Sequence, residues 1–314
     1  MVVFICKVTD EALEHGKKLL SNGNTYYDIS KEWATLYGID VNPESVRYYL
    51  TRREKPKLTV RDKLVENGVE KVLVLSDIHV PFNRDDVLDI VREYADEVSA
   101  IILGGDIADC LSVSSYNPLD ALPLIDEMSE VHKLLKQIQD ITPDVKRYLV
   151  KGNHEARWEK YMAKNFNQLN KLHSDNILGE IVKGFEYHDR LHGRVTTYEP
   201  LDYISINDWY VNYNDMIVCH PISFSKVAGK TASMALDYFV ERGNEFSTCL
   251  VAHTHKQASC FKYGKYAVEI GCMCKPMGYA SSGKLTFTQQ QCGYHLAVFV
   301  DGKYDINQSR NYTI

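Results

Sequence analysis

Five short apolar runs in this chain each stop on a residue able to hold a cation or move a proton. They are "KVLVLSDIH" (71–79), "SAIILGGD" (99–106), "RYLVKGNH" (147–154), "DMIVCH" (215–220) and "TCLVAHTH" (248–255). Continuous apolar runs of this length read as strands covered on both faces. Amphipathic helices separate them: "RDDVLDIVREYADEV", "LDALPLIDEMSEVHKLLKQIQD" and "KTASMALDYFVERG". The last third is richer in hairpins, with "ASCFKYGKYAVEIGC" turning at Gly264 and "YHLAVFVDGKY" as a late strand. Such a chain is expected to form an α/β fold of two stacked mixed β-sheets with helices outside. Ligands in α/β sheets bind beyond the carboxyl ends of the strands, and here that edge collects carboxylates, imidazoles and one amide. In Asp77-x-His79 and His253-x-His255, residues two apart should point the same way off an extended backbone.

The turn "VKGNHE" admits a plain explanation as well. Gly152 suits a sharp bend because it tolerates φ > 0, and Asn153 is a candidate N-cap for the helix that follows. Residues 165–208 fit neither rhythm and read as an insertion overhanging the strand ends.

Residues 1–68 read as a separate helical unit. "TDEALEHGKKLLSNG" has a Thr9/Asp10 cap and stops at Gly23. "NTYYDISKEWATLYGI" carries Ile29, Trp33, Leu36 and Tyr37 at helical spacing and closes at Gly38. "NPESVRYYLTRREKPK" starts with Asn42 as N-cap and Pro43 at the first helical position. Helix, glycine-containing turn, helix resembles a helix-turn-helix unit. Residues 42–63 hold seven basic residues (Arg47, Arg52, Arg53, Lys55, Lys57, Arg61, Lys63) against three acidic ones (Glu44, Glu54, Asp62). DNA is therefore the expected partner of this stretch, against the alternative of a docking module with a solvated charged face.

The net charge of −6 over 314 residues excludes a protein that coats polyanions with its whole surface, so any nucleic-acid site is local. No apolar run reaches the roughly 18–20 residues of a membrane span. The opening "MVVFICKVTDEALEHGKK" lacks the pattern of a secretory signal. The eight scattered cysteines read as reduced thiols in a cytoplasmic protein. Cys272 and Cys274 lack a second pair at zinc spacing and are assigned to core packing, as are Cys110 and Cys219.

D-x-H, G-D-x-x-D, G-N-H-E, a lone His after a strand, and H-x-H, in that order, resemble the calcineurin-like metallophosphoesterases over about residues 71–300. The resemblance implies a four-layer α/β/β/α sandwich over 69–314. It implies one cation held by Asp77, His79, Asp106 and His255, and a second held by Asp106, Asn153, His220 and His253. Asp106 would bridge them, and their joint charge would turn a shared water into the attacking hydroxide. His154 would act at the substrate or protonate the leaving oxygen, and Asp109 would orient a histidine from behind. Mixed N/O ligation suits Mn2+, or Fe or Zn2+, better than Mg2+ or Ca2+. Arg157, one turn past His154, is a candidate phosphate ligand, or else a helix-surface partner of Glu155. His188, Arg190, His192 and Arg194 are candidates for covering the cleft, while His15, His132, His173 and His295 match no motif and read as structural or surface residues.

Ala252 stands where the family has glycine. "DIADC" lacks the Asp-Arg-Gly of protein Ser/Thr phosphatases, and the chain lacks the extension of double-strand-break repair nucleases. "GNHEARWEKY" and the small N-terminal unit look most like phage- and prophage-encoded members. The expected activity is a two-metal phosphodiesterase cleaving DNA. The alternatives are a phosphoesterase of small or cyclic nucleotides, and a DNA-binding regulator with an inactive phosphoesterase domain.

Overall fold

The computed structural model describes residues 8–51, 60–115, 121–166, 176–189, 191–276 and 290–314. The chain divides into two compact units, Met1–Leu58 and Thr59–Ile314.

The first unit holds α1 (Asp10–Ser21), α2 (Tyr26–Tyr37) and α3 (Pro43–Thr51). Each starts on a side-chain cap. Thr9 Oγ1 accepts from Ala12 N at 3.2 Å, Thr25 and Asp28 form a reciprocal capping box, and Asn42 Oδ1 accepts from Ser45 N at 2.7 Å. α2 stops at Gly38, which is left-handed at φ 66. Ala12, Ile29, Trp33, Ile39 and Val46 are buried together. Leu36 departs from the expected apolar stripe and is 58% exposed. The stripe is centred on Trp33, and a residue three positions on lies roughly 60° round the helix.

The second unit runs α4 (Val60–Glu66), β1 (Val69–Leu75), α5 (Val87–Tyr94), β2 (Ala100–Leu103), α6 (Leu124–Ile141), β3 (Lys146–Val150), α7 (Glu155–Asn165) and α8 (Ile177–Lys183). It continues with β4 (Phe185–Asp189), β5 (Arg194–Tyr198), β6 (Ile204–Ile206), β7 (Tyr210–Tyr213), β8 (Met216–Cys219), α9 (Lys230–Glu241) and β9 (Thr248–Val251). β10 (Gln257–Lys262), β11 (Lys265–Ile270), β12 (Gly293–Val300), β13 (Lys303–Tyr304) and β14 (Arg310–Thr313) complete it. α4, placed by sequence in the helical unit, belongs here. Arg61 fastens it, donating from Nη1 to Asp144 O at 2.9 Å and from its backbone N to Asp96 O at 2.9 Å.

One sheet has the order β13-β12-β1-β2-β3-β6, with β14 also on β12, and a second the order β10-β11-β9-β8-β7. β1, β2, β3 and β6 are parallel, as are β8, β9 and β11. The alternation of a pleated strand sorts the apolar runs into layers. Val74, Ile102 and Val150 of the first sheet meet Val218, Leu250 and Ile270 of the second. The opposite side of the first sheet, with Leu73, Ile101 and Leu149, packs under α5, α6 and α8 through Ile90, Leu135 and Ile181. α9 covers the second sheet with Ala232, Leu236 and Phe239 over Ile217, Cys249 and Ala267. This is the four-layer sandwich. β2, β8 and β9 and the last four residues of β1 are buried from both sides, at roughly 1.5–3 kcal/mol per large side chain, which is why these runs carry no polar alternation.

The segment 165–208 is not one insertion. β6 extends the first sheet beside β3, and Ile177, Leu178 and Ile181 of α8 are core residues. Among the described residues of this segment, the β4–β5 hairpin forms a separate two-stranded sheet. It rests on α6, where His132 packs edge-on to Tyr198 at 5.0 Å and donates from Nε2 to Glu199 O at 2.7 Å. The expected β10–β11 hairpin turns through Tyr263 and Gly264, both left-handed. No described helix is long and apolar enough to cross a membrane.

Candidate metal centre

The parallel strands β1, β2, β3, β8 and β9 deliver their carboxyl ends to one place, and the loops there are not extended. Asp77 (φ 52), His79 (φ 51), Asp106 (φ 50), His253 (φ 74) and His255 (φ 52) are all left-handed. The expectation that each D-x-H or H-x-H pair projects from a straight strand is therefore overturned. Each loop coils at once, so its polar side chains turn back over the strand ends instead of running past them. A left-handed residue with a Cβ costs roughly 1–2 kcal/mol, and such strain persists only where the surroundings over-determine it. Here Asp77 N donates to Gly105 O at 3.0 Å and His79 N to Asp106 O at 2.9 Å, locking the first loop to the second.

The side chains converge on Asp106. Its Oδ2 is 3.1 Å from His220 Nε2 and 3.8 Å from both His79 Nε2 and His154 Nε2. His255 Nε2 lies 3.1 Å from Asp77 Oδ1 and 3.2 Å from His79 Nε2. Asn153 Oδ1 is 3.2 Å from His220 Nε2, and His253 N donates to Asp77 Oδ2 at 3.1 Å. The structure thus brings together all seven residues that the resemblance implies as ligands. Two groups of donors, His79–Asp106–His154 and Asp106–His220–His253, have all their ligand atoms within 4.8 Å of one another and share Asp106.

These donors fit divalent cations. The outer nitrogens of the imidazoles are engaged: His79 Nδ1 by Asp109 Oδ1 at 2.9 Å and His220 Nδ1 by Gly104 O at 2.9 Å. That leaves both Nε2 lone pairs aimed at the cluster, the tautomer a metal-binding histidine adopts. His253 Nε2 is buried and has no hydrogen-bond partner among the described residues, an arrangement that is costly unless something takes up its lone pair.

The charges agree. Burial alone would raise the Asp77 carboxyl, yet His255 and His220 hold it down to about 2. Burial likewise opposes ionisation of Asp106, and His154 and His220 keep it well below the ordinary range. Against the penalty of burial, Asp106 pushes His220 up to about 9 and Asp77 pushes His255 up to about 9. His253, disfavoured by burial and by His220, falls to about 4. The carboxylates demand positive charge, and the imidazoles supply it as protons that a cation would displace.

Behind these donors, Asp109 is buried and serves two histidines: its Oδ1 also lies 3.0 Å from His154 Nδ1. Arg157 reaches the centre, donating to Asp109 O at 2.7 Å and lying 2.9 Å from His154 Nε2. It is not a helix-surface partner of Glu155. Glu155 points inward, fully buried, and accepts four backbone N–H groups: Asp106 at 3.0 Å, Ile107 at 2.7 Å, Ala108 at 2.9 Å and Gly152 at 2.9 Å. Burial and neighbouring Asp106 push its carboxyl up to about 7, against the pull of those amides. Gly152 is not left-handed, contrary to the sequence expectation. It is required for close approach, since a Cβ there would lie 2.2 Å from Asp106 Oδ1. Nor does Asn153 cap α7. The N-cap residue is His154, whose side chain makes no cap bond, and its backbone N instead donates to Asp106 Oδ1 at 2.8 Å.

Two further residues escape the sequence reading. Gln290 Nε2 lies 2.8 Å from His255 Nδ1 and Cys274 Sγ 4.0 Å from the same atom. Cys274 also completes a third donor group with His79 and His255, so it does more than pack. Neither carries a local signal, because the β11–β12 connection that brings them follows no strand-end motif. The remaining histidines stay outside. His188 and His192 are exposed and paired with Glu186 and Asp189 in the hairpin, Arg194 is exposed on β5, and His295 is buried on β12. Arg190 and His173 fall outside the described residues.

Comparison with solved structures finds chains of low identity. One is a predicted phosphoesterase from Streptococcus pneumoniae TIGR4 (14% identity, covering 78% of this chain and 98% of that one, TM-score 0.28). Others are a novel archaeal phosphodiesterase (12%, 78% and 99%, 0.38) and a metallophosphoesterase from Sphaerobacter thermophilus (14%, 78% and 88%, 0.36). No curated protein matches the chain. The family model described as calcineurin-like phosphoesterase matches residues 70–257, well over half of the chain and all five strand-end motifs. The chain therefore belongs to the calcineurin-like phosphoesterase family and is a metal-dependent phosphoester hydrolase, of the kind that uses two metal ions.

Proposed function

We propose that this protein is a phosphodiesterase that cleaves nucleic acid, with DNA as the preferred substrate and Mn2+ as the working cation, Fe or Zn2+ being the alternatives by donor type. The observation that carries the reading is Asp106 shared between two donor groups, with His154 and Arg157 directly beside it. Asp77, His79, Asp106 and His255 would hold one cation, and Asp106, Asn153, His220 and His253 the other. When bound, the pair supplies a water acidified to near-neutral pKa and positive charge for the phosphate oxygens.

The chain's own residues do the rest. The backbone carbonyl of Asp109 receives the Nδ1–H of His154 at 2.9 Å, with the Asp109 carboxylate 3.0 Å from the same nitrogen, and together they fix the ring with Nε2 toward Asp106. Burial resists charge on that ring, but Asp106 and Asp109 outweigh it and raise the His154 pKa. Here Nε2 accepts from Arg157 Nη2 at 2.9 Å; with Arg157 turned to a phosphate oxygen, Nε2 would be free to carry a proton and hand it to the leaving oxygen. The Arg157 guanidinium, already beside Nε2, presents a planar fork for a non-bridging phosphate oxygen. The neutral Asn153 amide adds a ligand without adding negative charge.

Support for nucleic acid comes from the α2–turn–α3 arrangement and the basic sequence that follows it, of which Arg47 on α3 is exposed. Arg52, Arg53, Lys55 and Lys57 lie outside the described residues, and Arg61 is engaged within the second unit. The β4–β5 hairpin rests on α6 and is not read as a cover for the cleft. The test is hydrolysis of plasmid, oligonucleotide and bis-p-nitrophenyl phosphate by the Mn2+-loaded full chain. His154→Ala should lower the rate by roughly 10²–10⁴ on substrates with poor leaving groups. Cleavage of the small diester without any cleavage of nucleic acid would sink the DNA assignment, and Arg47→Glu should flatten the salt dependence of DNA binding.

A further inference from the structure

The loop between β8 and α9 leaves three large apolar residues in water: Ile222 at 64% exposure, Phe224 at 49% and Val227 at 67%. Phe224 is the one that meets the centre. Its ring stands edge-on to His253, with centroids 4.9 Å apart and planes at 72°. His253 in turn stands 5.2 Å from His220. A file of rings therefore leads from the donors of the centre to the surface and ends on a half-exposed phenyl ring.

The loop that carries Phe224 is built, not slack. Lys256, the residue after His255, is nearly buried, and its ammonium donates to the carbonyls of Ser225 and Lys226. Ser225 N donates to Thr231 Oγ1 at 3.0 Å and Val227 N to Ser225 Oγ at 3.1 Å. Buried Glu269 accepts Thr231 N at 3.2 Å, tying the start of α9 to β11. A buried cation and a buried carboxylate thus organise a loop whose outcome is an exposed phenyl ring. Lys226 and Lys230 flank it, both exposed.

We infer that Phe224 is a stacking platform for the planar base of a phosphodiester whose phosphate sits at the neighbouring donors. The inference rests on the phosphodiesterase reading above and names the part of the substrate that is recognised. The span from a phosphorus to the base of its own nucleotide is of the same order as the step from His253 to Phe224. Stacking on a preset ring accepts any base, so the subsite selects for a nucleobase without selecting among sequences. The flanking lysines favour a polyanion.

Phe224→Ala and Phe224→Trp would be compared with the parent full chain, loaded with Mn2+, on two diesters: thymidylyl-thymidine and glycerophosphoglycerol, which has no ring. Loss of one base stack is worth about 5- to 150-fold. Phe224→Ala should raise KM for the dinucleotide by that factor with kcat within about twofold, Phe224→Trp should retain the parent value, and neither should alter hydrolysis of the ringless diester. A thymidine oligonucleotide run alongside assigns the source, since the penalty is repeated there for a polymer substrate and is confined to the dinucleotide for a free one. A KM for the dinucleotide unchanged in Phe224→Ala, or an equal loss on both diesters, overturns the inference; the second result would make Phe224 a prop for His253. Saturation-transfer NMR of thymidine monophosphate with the zinc-loaded protein gives a readout apart from turnover. Transfer to the base protons that disappears in Phe224→Ala upholds the subsite, and its absence in the parent overturns it. If the parent cleaves neither diester, the phosphodiesterase reading falls by itself, and the NMR result still decides Phe224.

Discussion

The three N-terminal helices and the strand-end loops of the larger unit are assembled by opposite rules. In the helices the starts follow local preference: threonine, threonine with aspartate, and asparagine cap them, and a left-handed glycine stops α2. In the loops the preferences are broken repeatedly. Aspartates and histidines occupy the left-handed region where glycine belongs, and carboxylates lie fully buried. What holds the loops is not local. Glu155, nearly fifty residues on in sequence, gathers the amides of Asp106, Ile107 and Ala108, and Asp109 pins two imidazoles. A region whose geometry comes from its neighbours can hold donors where no isolated peptide would put them. Its vulnerability should follow the same line, with single changes costing function or the whole loop in the larger unit, and only a local increment in the helices.

The largest effect is expected at the shared donor. Asp106→Asn keeps the shape of the side chain and removes the charge common to both donor groups. Loss of one cation forfeits several kcal/mol of transition-state stabilisation, so the rate should fall by about 10³-fold or more. Calorimetric titration with Mn2+ should show the stoichiometry drop below two. Retention of two tight sites would remove Asp106 from its bridging role.

Next comes the scaffold. Glu155→Gln replaces an acceptor of four amides by a group with one oxygen and one NH2, leaving two or more buried N–H groups unpaired. At roughly 1–3 kcal/mol each, the larger unit should lose about 2–5 kcal/mol in urea unfolding, and activity should fall with it. A stability change under 1 kcal/mol would show that the loop strain is carried elsewhere.

Much of this division was readable in the sequence, and the reason is physical. Apolar runs closing on Asp, His or Asn are local signals, so five strands and the polar residues that end them can be named from sequence, and so can the helix caps, while sorting seven of those residues into two cation sites takes the family resemblance. Glu155 could not, because a glutamate opening a helix looks like an exposed first-turn acid. Gly152 reads in the sequence as suited to a bend, while what requires it is close approach: conformational freedom can be guessed from a turn, but a clash with Asp106 takes two loops in contact. The left-handed loops were missed because no residue type there announces them. β6 was hidden in an expected insertion because it is a three-residue edge strand with one side half-open. Gln290 and Cys274 arrive from a connection that follows no strand-end rule.

Histidines sharpen the contrast without metal chemistry. At the strand ends carboxylates raise His220 and His255 to about 9, whereas His295, buried on β12 and hydrogen-bonded to Asn311 and Tyr304, is pushed by burial down to about 4. The unfolded chain protonates this residue near its ordinary value of 6.5 and the folded one refuses the proton. Stability is therefore complete above that pH and is lost as pH falls toward about 4, by roughly 3 kcal/mol. His295→Gln removes the titration. The difference in unfolding free energy between pH 7 and about pH 4.5 should shrink by about 2–3 kcal/mol relative to the parent, and an unchanged acid limb would show that other groups govern it.

The smallest effect is expected where local rules suffice. Thr25 caps α2 with its hydroxyl toward Asp28 N at 3.3 Å, while the Asp28 carboxylate returns to Thr25 N at 2.9 Å. Thr25→Ala removes half of that box and should cost about 1 kcal/mol. Because the chain separates at Leu58 into two compact units, the loss should be confined to amides of α1, α2 and α3 in hydrogen exchange, with hydrolysis of bis-p-nitrophenyl phosphate unaltered. Thr25→Asp, which restores an acceptor, should recover most of it. If Thr25→Ala instead slowed hydrolysis of that small diester, the helical unit would be shaping the strand-end loops, and the two regions would not be the independent constructions that their opposite rules describe.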